Sequence, residues 1–198
     1  MSHPHNFPFI RLLQFPSEQE KAFQADYALR FLSVTRTALG VSTVLMLLFG
    51  LLDVWAAPNP LVLHRLWLIR YGLIGPAFFI GWLYSFHPAF RRQMQLVVSG
   101  VVLIAGLGIA TMVALTSQEN AAFNTYYVGM ILISLGAYTF IRLRFKYALI
   151  TNLLIFASYE VAALFFQHLL ILPMGVSAFV TANFFFVTAN FVGGFASY

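Results

Sequence analysis

The chain has 198 residues, of which 61% are hydrophobic and 9% charged, with a formal net charge of +5. Soluble domains carry about 25% charged residues, so this composition excludes a water-covered surface and makes lipid the solvent for most of the molecule. The lack of cysteine excludes disulfides, thiolate metal sites and cysteine nucleophiles.

The first 35 residues begin with the polar run Met1-Ser2-His3-Pro4-His5 and hold no apolar core ahead of a small-residue cleavage site, so the first membrane helix must itself target the chain. Ser17 and Glu20 form a capping-box pattern. Phe23, Tyr27 and Phe31 recur every four residues on one face, with Glu18, Lys21, Asp26 and Arg30 elsewhere. Residues 17–35 are therefore read as a short amphipathic juxtamembrane helix behind a cytoplasmic tail (1–16). It either lies on the inner membrane surface or extends the first span into the cytosol.

A transmembrane helix needs about 20 mostly apolar residues. Six stretches qualify: 36–57, 65–86, 94–116, 125–141, 147–168 and 175–197, the fourth being the shortest. Pro58-Asn59-Pro60, His87-Pro88 with Arg91 and Arg92, Ser117-Gln118-Glu119-Asn120, Arg142-Leu143-Arg144-Phe145-Lys146 and Pro173 mark the breaks. The expected fold is all-α, a polytopic membrane protein with six transmembrane helices over residues 36–198. A cytoplasmic N-terminus puts nine basic residues (Arg11, Lys21, Arg30, Arg36, Arg91, Arg92, Arg142, Arg144, Lys146) on the inner side and two (Arg65, Arg70) on the outer. The positive-inside rule therefore orients both ends toward the cytoplasm.

Charges at membrane depth are costly and usually pair or line a cavity. Asp53 sits near the outer end of the first span. At 1.5 Å per residue, Arg70 lies about 8 Å into the second span and Glu160 roughly 20 Å along the fifth, so all three reach the outer half of the bilayer. Arg70 is expected to pair with Asp53, Glu160 or both. Tyr126, Tyr127, Tyr159 and Asn183 reach the same level, and together these residues form either an outward-opening ligand pocket or a buried ion pair that fixes helix register. Asn183 and Asn190 share one face of the sixth span and serve helix association or ligand contact, while Phe184, Phe185 and Phe186 read as packing or lipid contacts. Gly106, Ala110 and Ala114 make a small-residue stripe for close helix approach within or between subunits. Pro76 is expected to kink the second span. His3, His5, His64, His87 and His168 show no metal-ligand spacing, and no metal site is expected.

No catalytic motif is present: no H-E-x-x-H, G-x-S-x-G or phosphate-binding glycine loop occurs. Internal repeats that would mark a transporter are also missing.

Several stretches form a pattern: Phe15-Pro16-Ser17 with Glu20, Phe23, Tyr27 and Arg36; Phe49-Gly50-Leu51-Leu52-Asp53-Val54-Trp55; Ile69-Arg70-Tyr71 with Pro76; Gly106-Leu107-Gly108-Ile109; Tyr126-Tyr127-Val128-Gly129; Tyr138 through Phe145; Tyr159-Glu160; and Asn183-Phe184-Phe185-Phe186 with Asn190, Gly193 and Tyr198. Across nearly the whole chain this resembles the six-helix N-terminal membrane domain of bacterial membrane-bound class III adenylate/guanylate cyclases. The resemblance implies a homodimeric anchor and sensor in the bacterial inner membrane, with lipid and an outer-side small ligand or lipid as partners and no nucleic acid. It implies a cytosolic cyclase domain after Tyr198 that makes cyclic AMP from ATP with Mg or Mn. The catalytic aspartates and the purine-selecting residues of that domain lie outside this chain, which by itself has neither activity nor cofactor. Similar modules precede diguanylate cyclase and histidine kinase domains; a small stand-alone transporter is the competing class.

Overall fold

The computed structural model describes residues 17–57, 59–116, 121–166 and 173–196. Among these residues all regular structure is helical. The rods are α1 (Ser17–Ala56), α2 (Pro60–Tyr84), α3 (Phe90–Leu115), α4 (Ala121–Thr139), α5 (Phe145–Val161, extended by a π-helical turn Ala162–Phe166) and α6 (Pro173–Ala196).

Four helices among the described residues are long and apolar enough to cross a membrane: Leu29–Ala56, Pro60–Tyr84, Phe90–Leu115 and Phe145–Phe165. The expected number was six. The fourth and sixth expected spans fall on α4 and α6, whose continuous apolar parts among the described residues are the shorter Val128–Thr139 and Asn183–Gly193. The outward faces agree with a lipid solvent. Leu47, Leu48, Leu51, Leu52 and Trp55 all point out of α1, Trp55 being 74% exposed, a density of apolar surface that water does not tolerate on a monomer.

Residues 17–35 continue into the first span without a break. No proline interrupts residues 17–56, and α1 runs through them as one helix of 40 residues. The second span begins five residues earlier than the hydropathy pattern placed it. Asn59 caps α2 by accepting the Leu61 amide at 3.0 Å, and Pro60 stands at the first helical position, where its missing N–H and fixed φ suit a helix start. Likewise α3 starts at Phe90, so that Arg91 and Arg92 form its exposed first turn.

Where a kink was expected at Pro76, the structure has a π-helical turn, Arg70–Ile74, just ahead of it. Pro76 has no amide to donate, and its ring crowds the carbonyl four residues back. The ladder opens ahead of it: the Gly75 amide reaches back to the Arg70 carbonyl. The widened turn starts at Arg70, which is 4% exposed.

Helix α3 is the centre of the bundle. Val98, Val102, Ala105, Ile109 and Met112 form one buried stripe along it, and Gly108 and Ala110 are buried to either side of that stripe; it packs on α1, α2, α4 and α5, most extensively on α5. The small-residue stripe explains that contact. A Cβ at Gly106 would run into the Ile155 side chain of α5, and both Gly106 and Ala110 are buried while Ala114 is half-buried. The stripe thus serves packing within one subunit. Helix α6 is peripheral, resting on α4 and α5.

Between Tyr27 and Arg36, in the middle stretch of α1, polar contacts tie it to two loops. Arg36 donates from Nε and Nη2 to the Ser85 carbonyl at 2.9 and 2.7 Å and lies over the Phe86 ring. Tyr27 donates to the Arg142 carbonyl at 2.8 Å and Thr35 to the Ile141 carbonyl at 3.3 Å. Burial raises the pKa of the Tyr27 phenol against a smaller opposing pull from Arg142 and Arg144, so it remains a donor. Arg142 has φ 57°, the left-handed conformation that glycine adopts more readily. Its guanidinium sits 5.6 Å from the centre of the Phe31 ring.

The α3–α5 contact yields a stability prediction. Gly106→Ala is expected to lower stability by about 1–3 kcal/mol through overpacking, read by thermal unfolding in detergent. Adding Ile155→Val should return part of the loss; an Ala variant as stable as wild type contradicts the close approach.

Candidate functional site

Three of the polar residues singled out in the sequence meet in one buried cluster. Asp53 near the end of α1 is 1% exposed, Arg70 on α2 4% and Tyr126 on α4 8%. Arg70 engages the carboxylate with two nitrogens: Nε donates to Oδ2 at 2.6 Å and Nη2 to Oδ1 at 2.8 Å. Tyr126 donates its hydroxyl to the same Oδ1 at 2.8 Å. Among the described residues the remaining terminal nitrogen, Nη1, meets the Met46 sulfur at 4.0 Å, a weak acceptor, and the guanidinium also hydrogen-bonds the Tyr126 side chain. The charges of Asp53 and Arg70 cancel, as a dry site demands.

Local sequence explains how the pair forms. Tyr71 packs across Gly50, whose Cβ, were there one, would strike the Tyr71 hydroxyl. That hydroxyl donates to the Leu47 carbonyl at 3.1 Å, and the Trp67 indole donates to the Gly50 carbonyl at 3.1 Å. Glycine at position 50 lets α2 come against α1, and three residues on, Asp53 meets Arg70 from the start of the π turn. The stretches Phe49–Trp55 and Ile69–Tyr71 are therefore two halves of one helix–helix seam.

Glu160 does not join them. Among the described residues Arg70 forms its ion pair with Asp53, and Glu160 hydrogen-bonds instead to Asn183, linking α5 to α6. Its Oε1 is buried and has no hydrogen-bond partner among the described residues. The expected single cluster is thus two polar sites, one between α1, α2 and α4 and one between α5 and α6. Tyr127 lies in α4 with its side chain outside the described residues. Asn190 accepts from Tyr138 at 3.2 Å and donates to the Phe186 carbonyl at 2.9 Å. With the Tyr138 ring lying over Gly193, this is an α4–α6 seam. Phe186 stacks on Phe156, centroids 4.7 Å apart, while Phe184 and Phe185 face outward.

Among the described residues no group of three metal-ligating side chains occurs. His64 is exposed; His87 is also exposed and accepts the Ala89 amide at 3.2 Å. His3, His5 and His168 lie outside the described residues.

Two features were missed by sequence reasoning. Asn152, fully buried on α5, donates weakly to the Ser134 carbonyl at 3.5 Å, and its Oδ1, Ser134 Oγ and Ser99 Oγ are buried without partners among the described residues. The polar Thr151-Asn152 step about a third of the way along an apolar span was the available signal. The other feature is a groove of about 940 Å³ between α1 and α4, with Asp53, Arg70 and Tyr126 in its lining. A pocket at Asp53, Arg70 and Tyr126 was among the expectations; the apolar length of the groove has no sequence signature, since it arises where two helices touch only sparsely.

Comparison with protein-family models, with curated proteins and with solved structures finds no match for the chain.

The pair is expected to be strongly coupled. Asp53→Asn strands a buried guanidinium charge and should cost about 3–5 kcal/mol in thermal or denaturant unfolding, while Tyr126→Phe removes one hydrogen bond to a charged group and should cost about 1.5–3 kcal/mol. The double variant Asp53→Leu with Arg70→Met should lose far less than the sum of its single variants. Additive losses would show that the two side chains do not depend on each other.

Proposed function

We propose that the chain is the membrane anchor, dimerisation and sensing domain of a class III nucleotide cyclase that makes cyclic AMP from ATP. In this reading it crosses the bacterial inner membrane six times with both ends in the cytoplasm, and the shorter apolar helices α4 and α6 complete the set of spans. The observation that carries the reading is the buried Asp53–Arg70–Tyr126 cluster. It joins three helices through residues of the stretches on which the cyclase resemblance rests, and it lines the groove between α1 and α4. Class III cyclases build their active sites between two catalytic domains, so a membrane module that dimerises sets the spacing of those domains. A ligand that binds one dimer geometry better than another shifts the output by no more than its differential affinity. The cluster is the input of such a device, because it holds α1, α2 and α4 in register at one end. The contacts of Arg36, Tyr27 and Thr35 secure α1 in its middle stretch.

The reading frame that carries this chain, expressed with whatever follows Tyr198 in bacterial membranes, should convert ATP to cyclic AMP, and removing the downstream domain should abolish the product. Arg70→Ala should change the regulation of that activity while the catalytic residues stay intact. Membranes that make no cyclic nucleotide would count against the cyclase and move weight to a diguanylate cyclase or histidine kinase output.

A further inference from the structure

Helices α1 and α4 touch sparsely, and the groove of about 940 Å³ lies between them. On α1 its lining extends from Ser33 to Ala56, roughly 35 Å of helix at 1.5 Å per residue, close to the hydrocarbon thickness of about 30 Å. The walls between are mostly apolar, with Val41 and Leu45 on one side and Leu132 and Ile133 on the other. An apolar slot of this kind does not hold ordered water, and in a bilayer an acyl chain is the filling at hand. The two ends differ. At one, Asp53, Arg70 and Tyr126 satisfy one another through hydrogen bonds, and the two charges cancel. Nothing there calls for a further charged group, so recognition falls on the other end.

That end carries a cation. Arg142 lines the groove and is exposed. Among the described residues the ion pairs are Arg30–Asp26 and Arg70–Asp53, and Arg142 belongs to neither. Its place is fixed: the backbone holds φ 57°, its carbonyl accepts the Tyr27 hydroxyl, and the guanidinium lies 5.6 Å from the centre of the Phe31 ring, a contact that supplies no oxygen acceptor. Glycine would adopt this left-handed conformation with less strain, and strain of this sort gathers where a ligand is held. Ser33 and Thr37 bring hydroxyls to the same end of the groove. A forked guanidinium with hydroxyls beside it matches a phosphate, whose oxygens can be shared among several donors. Around it, residues 17–36, 87–92 and 142–146 hold eight basic residues against three acidic ones, a field that favours anionic over zwitterionic heads. From Ser33 to Leu45 the groove runs about 18 Å, close to the hydrocarbon depth of one leaflet, about 15 Å.

We propose that the Arg142 end of the α1–α4 groove binds an anionic phospholipid of the phosphatidylglycerol type, its phosphate on Arg142 and one acyl chain along the walls between Val41 and Leu132. The orientation proposed above places this lipid in the inner leaflet. Binding itself requires neither that orientation nor a cyclase.

The test uses the purified full chain in phosphatidylcholine nanodiscs doped with a phosphatidylglycerol that carries a photoreactive diazirine in one acyl chain. Label is expected on the groove walls, at Val41, Leu45 or Leu132. Unlabelled phosphatidylglycerol should compete about fivefold better than phosphatidylethanolamine of the same chains, the worth of about one basic side chain facing an anionic lipid. Arg142→Gly keeps the backbone conformation and should erase that preference, while Arg142→Lys should retain most of it. Arg91→Ala removes a cation from the same end but outside the groove lining and should leave the preference unchanged. Gly136→Phe should abolish the groove label. A Cβ at Gly136 meets nothing within 4 Å, so this side chain enters the groove without displacing its neighbours. Should that variant unfold, Leu132→Trp obstructs the same wall. Equal competition by the two heads overturns the proposal, as does better competition by a free fatty acid, which assigns the groove to a single-chain carboxylate. An equal loss in Arg91→Ala and Arg142→Gly, the mark of diffuse surface attraction, also overturns it, as does label that persists in a folded groove-filling variant. Absence of groove label overturns it too, and cross-linking of Leu132→Cys between two copies then assigns the groove to a dimer interface. Because no cyclase activity is read, a negative result here leaves the proposed output untouched, and an inactive cyclase leaves this binding site standing.

Discussion

The cancellation of one positive by one negative charge in a dry interior governs how the first half of this molecule is assembled. Neither Asp53 nor Arg70 is tolerable alone at its depth, because a lone ion loses its hydration and finds no replacement. Each therefore fixes the other, and with it the rotation and height of the helix that carries it. Tyr126 brings α4 to the same point. The packing along α1 and α2 follows from this requirement: glycine at position 50 admits Tyr71, and the wide turn ahead of Pro76 begins at Arg70. Removing any one of these features leaves the others without their reason.

The second half is held by different means. Close approach of α3 and α5 at Gly106, and of α4 and α6 under Tyr138 at Gly193, relies on the absence of side chains. Dispersion is the main attraction available between helices whose alternative partner is lipid, and it acts over short range. Hydrogen bonds such as that between Tyr138 and Asn190 then set the rotation. One half is thus specified by charge and the other by shape, with α3 in contact with both.

Much of this was legible in the residues, for physical reasons. The all-helical character followed from long apolar runs, and the partnership of Arg70 with an acid followed from the price of an isolated charge in lipid. The choice of Asp53 over Glu160 was not legible, because depth along a helix is one coordinate and the azimuth that decides contact is another. The start of α2 was displaced because hydropathy averages over His64 and Arg65, whereas Asn59 and Pro60 act locally through capping. The sequence left open whether residues 17–35 lie apart from the first span or extend it, because a change of composition near residue 35 breaks no hydrogen bond; α1 runs through that point as one helix. The groove and the buried Asn152 depend on what faces what across the bundle, which no single-helix pattern encodes.

The continuity of α1 has a mechanical consequence. A helix of 40 residues is about 60 Å long at 1.5 Å per residue, twice the thickness of the hydrocarbon layer of about 30 Å. Such a rod behaves as a lever whose fulcrum is wherever its neighbours grip it hardest. Helices in bilayers tilt in response to thickness, and a small change of inclination in the embedded portion is magnified at the Ser17 end in proportion to the overhanging length. A hinge between the two portions would have absorbed such a motion; an unbroken rod passes it on.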